Sequence, residues 1–159
     1  MGDNGGIYSL AGFAYQMKVF ILQILQLQRG NVLEYETIDD VALKMTADNI
    51  DKHEDQLCSV LTTTSRKAIQ VKRTDVTNSV AKKVLKNWIL ADKSNNDIGQ
   101  FVLVTDRDVS MDIFANLDAD AIYTEVISTK SKKSIDAKVK LIGYSEEKLK
   151  LKIQDIISK

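Results

Sequence analysis

Residues Ala68-Ile69-Gln70-Val71-Lys72 alternate small or polar side chains with branched apolar ones. A period of two is the signature of a β-strand. The alternation puts Ala68, Gln70 and Lys72 on one face and Ile69, Val71 and Arg73 on the other. Whatever fold the chain adopts must bury the Ile69/Val71 face while holding an amide and an ammonium two residues apart on the opposite one. Upstream, Glu34-Tyr35-Glu36-Thr37-Ile38-Asp39-Asp40-Val41-Ala42-Leu43 is a second β-like stretch with four carboxylates around its turn. By itself a Gln-Val-Lys word also suits a solvated sheet face. The 30 residues from Asp40 to Gln70 exceed what a simple hairpin needs.

Carboxylates combined with Gln-x-Lys make up the polar outfit of a metal-dependent phosphodiesterase. Cleaving a phosphodiester calls for a hard divalent cation, and Mg²⁺ prefers oxygen ligands while keeping several waters. Asp40 is the candidate anionic ligand. Gln70 can offer its amide oxygen, and the carbonyl of Val71 is a further neutral donor. Lys72 can hold the attacking water or the developing negative charge. Glu36 is the next candidate, and Asp39 is either an outer hydrogen-bonding group or a turn former.

On these residues the chain resembles the restriction-endonuclease-like superfamily with the PD-(D/E)xK motif, in the Mrr-like variant with glutamine at the second acidic position. Asp40, Gln70 and Lys72 match the motif. More narrowly, Gly5-Gly6-Ile7-Tyr8, Gly12-Phe13-Ala14-Tyr15-Gln16, Tyr35-Glu36 to Asp39-Asp40, Gln70-Val71-Lys72 and Trp88 look like the N-terminal double-stranded DNA nuclease domains of bacterial anti-phage effectors, of the CBASS and NTPase types. The resemblance covers about residues 5 to 106. It implies a mixed central sheet flanked by helices and Mg²⁺ as cofactor, with Mn²⁺ as a substitute. It further implies double-stranded DNA as substrate, homo-oligomerisation on activation, and a sensor or NTPase module that this chain does not include.

Composition narrows the classes. At 159 residues and 44% hydrophobic content, the chain suits one domain with a real core. That domain is either free-standing or excised from a larger protein. Balanced charge, 22 basic against 22 acidic residues, counts against a pure nucleic-acid-binding module. It counts less against a nuclease, whose carboxylates are offset by metal. The apolar run Val19 to Leu27 is broken by Gln23 and Gln26, so no membrane span is expected. The start lacks the basic segment of a secretory signal, and the single Cys58 cannot close an internal disulfide, so a cytoplasmic location is expected. The lone His53 lies in a charged stretch without a partner histidine, and neither a P-loop nor a dinucleotide fingerprint is present.

Periodicity supplies the elements. A helix is expected over residues 6–28 with Phe13, Met17, Phe20, Ile21, Ile24 and Leu27 inward, followed by strands at 32–36, 41–45 and near 57–61. The motif strand at 68–73 leads to a helix at 77–93, whose stripe is Val80, Val84, Leu85, Trp88 and Ile89. A strand at 101–105, helices at 111–116 and 119–128, and a final helix at 145–157 with Leu149, Ile153 and Ile156 inward complete an α/β layer. The late lysines, Lys130 to Lys140 and Lys148 to Lys152, read as solvated surface. Within the first helix Tyr15 suits core packing, and Gln16 either faces solvent or supports the site. Two rivals to a DNA endonuclease are a catalytically silent interaction domain and an RNA-directed nuclease, since a metal–phosphate mechanism does not need the sugar identity.

Overall fold

Alternation at residues 66–72 and helical spacing at residues 81–89 are both realised in a computed structural model, which describes residues 5–27, 32–37, 56–61, 66–94, 98–110 and 112–159. Side chains are described at all of these except 5–9, 32, 34–37, 56–61 and 94. In chain order the elements are α1 (Gly5–Leu25), β1 (Val32–Thr37), β2 (Gln56–Leu61), β3 (Arg66–Lys72), α2 (Asn78–Ser94), β4 (Ile98–Thr105), α3 (Ala119–Ser128), α4 (Ile135–Ile142) and α5 (Glu146–Ser158). The strands form one sheet in the order β1-β2-β3-β4. β1 with β2 and β2 with β3 are antiparallel. The fold also holds a small parallel two-strand pairing, which falls to β3 and β4. A parallel pair needs a long connection, and α2 is the helix that lies between these two strands in sequence. The expectation of a mixed α/β fold is met; the expected strand at 41–45 lies outside the described residues.

The described chain forms two compact units, the first comprising α1, β1 to β3 and the Val102–Arg107 segment. Its core is Val19 of α1 against Ile69 and Val71 of β3, with Tyr15, Phe20, Leu33, Val102 and Val104 packed around them. Because Ile69/Val71 and Val102/Val104 each recur at a spacing of two, one sheet face carries them all and α1 lies on it. The inward stripe of α1 agrees with the one expected at Phe20 and differs at other positions. Val19 is buried, whereas Ile21 and Ile24 are half exposed. Apolar residues occur all around this helix, so spacing alone does not single out the core face.

The second unit is helical, with Ile98–Phe101 contributing the start of β4. On α2, Ala81, Val84, Leu85, Trp88 and Ile89 are buried at i, i+3, i+4, i+7 and i+8, as an amphipathic helix requires. The Trp88 ring lies 5.4 Å from Phe101 and 4.9 Å from Phe114, both tilted, within the favourable range for aromatic pairs. Ile122 and Val126 of α3, Ala137 and Val139 of α4, and Leu149, Ile153 and Ile156 of α5 complete the buried set. Asp118, Ser134 and Ser145 cap α3, α4 and α5, each accepting from backbone N–H groups of its helix's first turn. Gly143 ends α4 at φ 74°, a conformation other residues adopt at a cost.

α4 lies in the lysine-rich stretch expected to be solvated surface. Its signal was present: Ser134 as cap, Ile135, Val139 and Ile142 at helical spacing, and Gly143 as stop. Conversely, residues 112–116 form a turn and not a helix, since hydrogen bonds such as Asn116 N–H to the Asp112 carbonyl close a single turn that is too short to propagate.

Ion pairs tie this unit together. Lys86, almost wholly buried, donates to Glu125 at 2.9 Å and Asp136 at 2.5 Å, joining α2, α3 and α4. Lys82 donates to the other oxygen of Glu125 at 2.5 Å. Asp92 accepts from Lys152 at 2.7 Å and Lys159 at 3.1 Å, pinning α5 to α2. Burial pushes the Glu125 carboxyl upward, but hydrogen bonds from Lys82 and Lys86 outweigh it and hold the pKa below its ordinary value. Asp155 is lowered in the same way by Lys159 and Lys152. A carboxyl depressed in the folded state contributes stability that is present above its unfolded pKa and is lost as pH falls through the folded one. The thermal midpoint should therefore fall on acidification below about pH 4.5. Glu125→Gln should flatten part of that fall, as read by circular-dichroism melts from pH 7 to pH 2.

Candidate functional site

β3 is buried on both faces. Ile69 and Val71 pack toward α1, and on the opposite face Ala68 and Gln70 are each 0% exposed. Gln70 is therefore not on a solvated sheet face. Both polar atoms of its side chain, Oε1 and Nε2, are buried without a hydrogen-bond partner. Leaving a buried donor or acceptor unpaired costs about 1–3 kcal/mol per group, and buried polar groups are paired in the great majority of cases. Lys72, two residues on and on the same face by alternation, is half buried at the end of the strand.

Strand register extends the site across the sheet. Glu36 of β1 lies opposite Leu57 of β2, which in turn lies opposite Gln70 of β3. Glu36 and Gln70 thus occupy one cross-strand row, two strand spacings or about 9.5 Å apart. Because β1 and β3 both run antiparallel to β2, their C-terminal ends lie at the same end of the sheet. The acidic word continues in sequence from Thr37, the last residue of β1, at the end where Gln70 and Lys72 sit. Asp39 and Asp40, like His53, lie outside the described residues. The structure thus brings Gln70, Lys72 and the backbone of Glu36 to one end of the sheet. Val71, proposed for its carbonyl, turns its side chain into the core.

The same end holds a pair that sequence reading did not single out. Arg73 follows β3, Asp106 follows β4, and the Arg73 Nε donates to Asp106 Oδ2 at 3.4 Å. Tyr15 of α1 is packed on the core, and its hydroxyl pKa is raised, first by burial and then by the charge of Asp106. The signal for Asp106 was its place directly after an apolar strand, since ligand sites in open α/β sheets gather at the carboxyl ends of strands.

The residue types fit a divalent cation through one observation: the orphaned buried oxygen of Gln70, a neutral hard donor of the kind Mg²⁺ takes. Among the described residues no group of three or more His, Cys, Asp or Glu gathers to hold a metal, so the anionic share of such a site would fall to Glu36, Asp39 or Asp40. Gln70→Leu removes two unpaired polar atoms while roughly keeping volume. It should leave the metal-free protein as stable as the wild type or stabilise it by about 1–3 kcal/mol. Urea denaturation in the presence of EDTA reads this directly. A loss of several kcal/mol would instead mean that the amide is satisfied in the folded protein. Comparison of the chain with family models, with curated proteins and with solved structures found no match.

Proposed function

We propose that this chain is a metal-dependent endonuclease domain that hydrolyses phosphodiester bonds in double-stranded DNA, of the restriction-endonuclease-like kind and serving bacterial anti-phage defence. The observation that carries the reading is the wholly buried, unpartnered amide of Gln70 two residues from Lys72 on one strand face. Trp88 Nε1 is likewise buried without a partner, but Gln70 differs in offering an oxygen donor beside Lys72, which a cation can take up.

In this reading Gln70 Oε1 and the carbonyl of Val71 supply neutral donors, and Asp40, with Glu36 beside it in chain order, supplies negative charge. A bound Mg²⁺ or Mn²⁺ would polarise the phosphoryl oxygen and acidify a water. Lys72 orients the attacking water and stabilises the charge that develops on the phosphate. The buried setting of Gln70 excludes bulk water from one side, which strengthens each of these interactions.

Two outcomes check the assignment. Lys72→Ala should lower the rate of plasmid cleavage by roughly 10²–10³ in Mg²⁺ with the fold intact. A folded variant with wild-type activity would remove the lysine from the mechanism. Asp40→Asn should weaken Mn²⁺ binding in calorimetric titration; unchanged affinity would shift the anionic role to Asp39 or Glu36. Running plasmid DNA and structured RNA side by side, with and without Mg²⁺, separates the DNA enzyme from an RNA-directed one, and absence of cleavage and of metal binding would mark an interaction domain.

A further inference from the structure

Lys86 lies off the apolar stripe of α2, yet it is only 4% exposed. Its ammonium carries three N–H donors. Two of them reach carboxylates, Glu125 of α3 at 2.9 Å and Asp136 of α4 at 2.5 Å, and the third has no acceptor among the described residues. Beside it the three helices leave a cavity of about 380 Å³, which Lys86 lines together with Asn78, Lys82 and Lys83 of α2 and with both carboxylates. Folded interiors hold few voids larger than a water molecule, and this space falls in the size range of small-molecule sites. Every residue around it belongs to the helical unit.

We propose that this cavity is a receptor for a small phosphate monoester, whose phosphate accepts from the third N–H of Lys86 and from Lys82. The inference stands apart from the phosphodiesterase reading, since Gln70 and Lys72 belong to the other unit. Three ammonium groups line the cavity against two carboxylates, a formal excess of one positive charge. Lys82 gives one N–H to Glu125 and keeps two. Four residues separate Lys82 from Lys86, one helical turn, so the two ammonium groups serve the same space. A phosphate offers several oxygens and accepts charge-assisted hydrogen bonds from both at once. Asn78 extends the lining to the amino end of α2, whose first turn holds no acidic residue, so the helix dipole favours the same sign of ligand charge. Glu125 and Asp136 narrow the choice of anion. A singly protonated phosphate keeps a P–OH that can donate to one of these carboxylates, whereas sulfate is fully ionised and meets both as like charge.

Calorimetric titration of the full chain with glycerol 1-phosphate, inorganic phosphate and sulfate tests the proposal, at about pH 6, where the protonated phosphate is well populated. EDTA in the buffer keeps a divalent cation from contributing a second phosphate site. Glycerol 1-phosphate and inorganic phosphate should bind saturably at one site per chain, and sulfate more weakly by about tenfold or more. Lys86→Met should lose binding. Lys82→Met, at a partly exposed position, should raise Kd by about tenfold or more, and it keeps the test decisive if Lys86→Met fails to fold. Lys148→Met, on the exposed side of α5, should bind as the wild type does. No binding of glycerol 1-phosphate up to about 10 mM would overturn the proposal, and so would binding of inorganic phosphate alone. Sulfate binding as tightly as phosphate would overturn it too, as would equal losses in Lys82→Met and Lys148→Met, the mark of general charge attraction.

Discussion

A strand covered on both faces leaves its polar side chains no water, and β3 carries a glutamine in that position. Ile69 and Val71 anchor the strand to α1, and Ala68 and Gln70 are closed off on the other side. The hydrophobic contacts hold the strand in place, and the strand in turn holds the amide. Gln70 is wholly buried while β3 keeps its place, and a one-residue slip in pairing is disfavoured because it would send Ile69 and Val71 to the wrong face. The amide is therefore held in place without a partner, at a cost in stability.

The sheet's direction does the rest. Two antiparallel pairings make β1 and β3 point the same way, so the chain leaves β1 toward its acidic word at the end where β3 presents Gln70 and Lys72. β4 ends there as well, bringing Asp106 to Arg73. The helical unit has a different economy of forces. Its α2 stripe is apolar and its helices are capped, while Lys86 and Asp92 sit nearly buried with their ion partners. Such pairs add little net stability compared with apolar substitutes but strongly disfavour arrangements that would separate the partners.

Much of this was legible in the sequence. The period of two at residues 68–72 identified β3 and its two faces, and the stripe at Val84, Leu85, Trp88 and Ile89 identified α2, because each pattern is long enough to distinguish a strand from a helix. Leu149, Ile153 and Ile156 likewise located the inner face of α5. The core face of α1 was not legible, since a helix with apolar residues on every side has no amphipathic signal to read. α4 was hidden by its lysines, although Ser134 and Gly143 marked its ends. For the site, alternation showed that Gln70 and Lys72 share a face, but only tertiary packing could show that the face is closed. The Arg73–Asp106 pair depends on β3 and β4 ending together, which spacing along the chain does not encode.

Under the proposed function the buried amide of Gln70 is a cation ligand, and its side-chain amide resonances report binding at the amide itself. In a sample with ¹⁵N-labelled glutamine, assigned through Gln70→Leu, titration with Mg²⁺ should shift the Gln70 amide signals saturably. Trace Mn²⁺ should broaden them before those of glutamines remote from the site. Gln70 signals that stay unmoved and sharp through Mg²⁺ and Mn²⁺ concentrations that support cleavage would contradict the account.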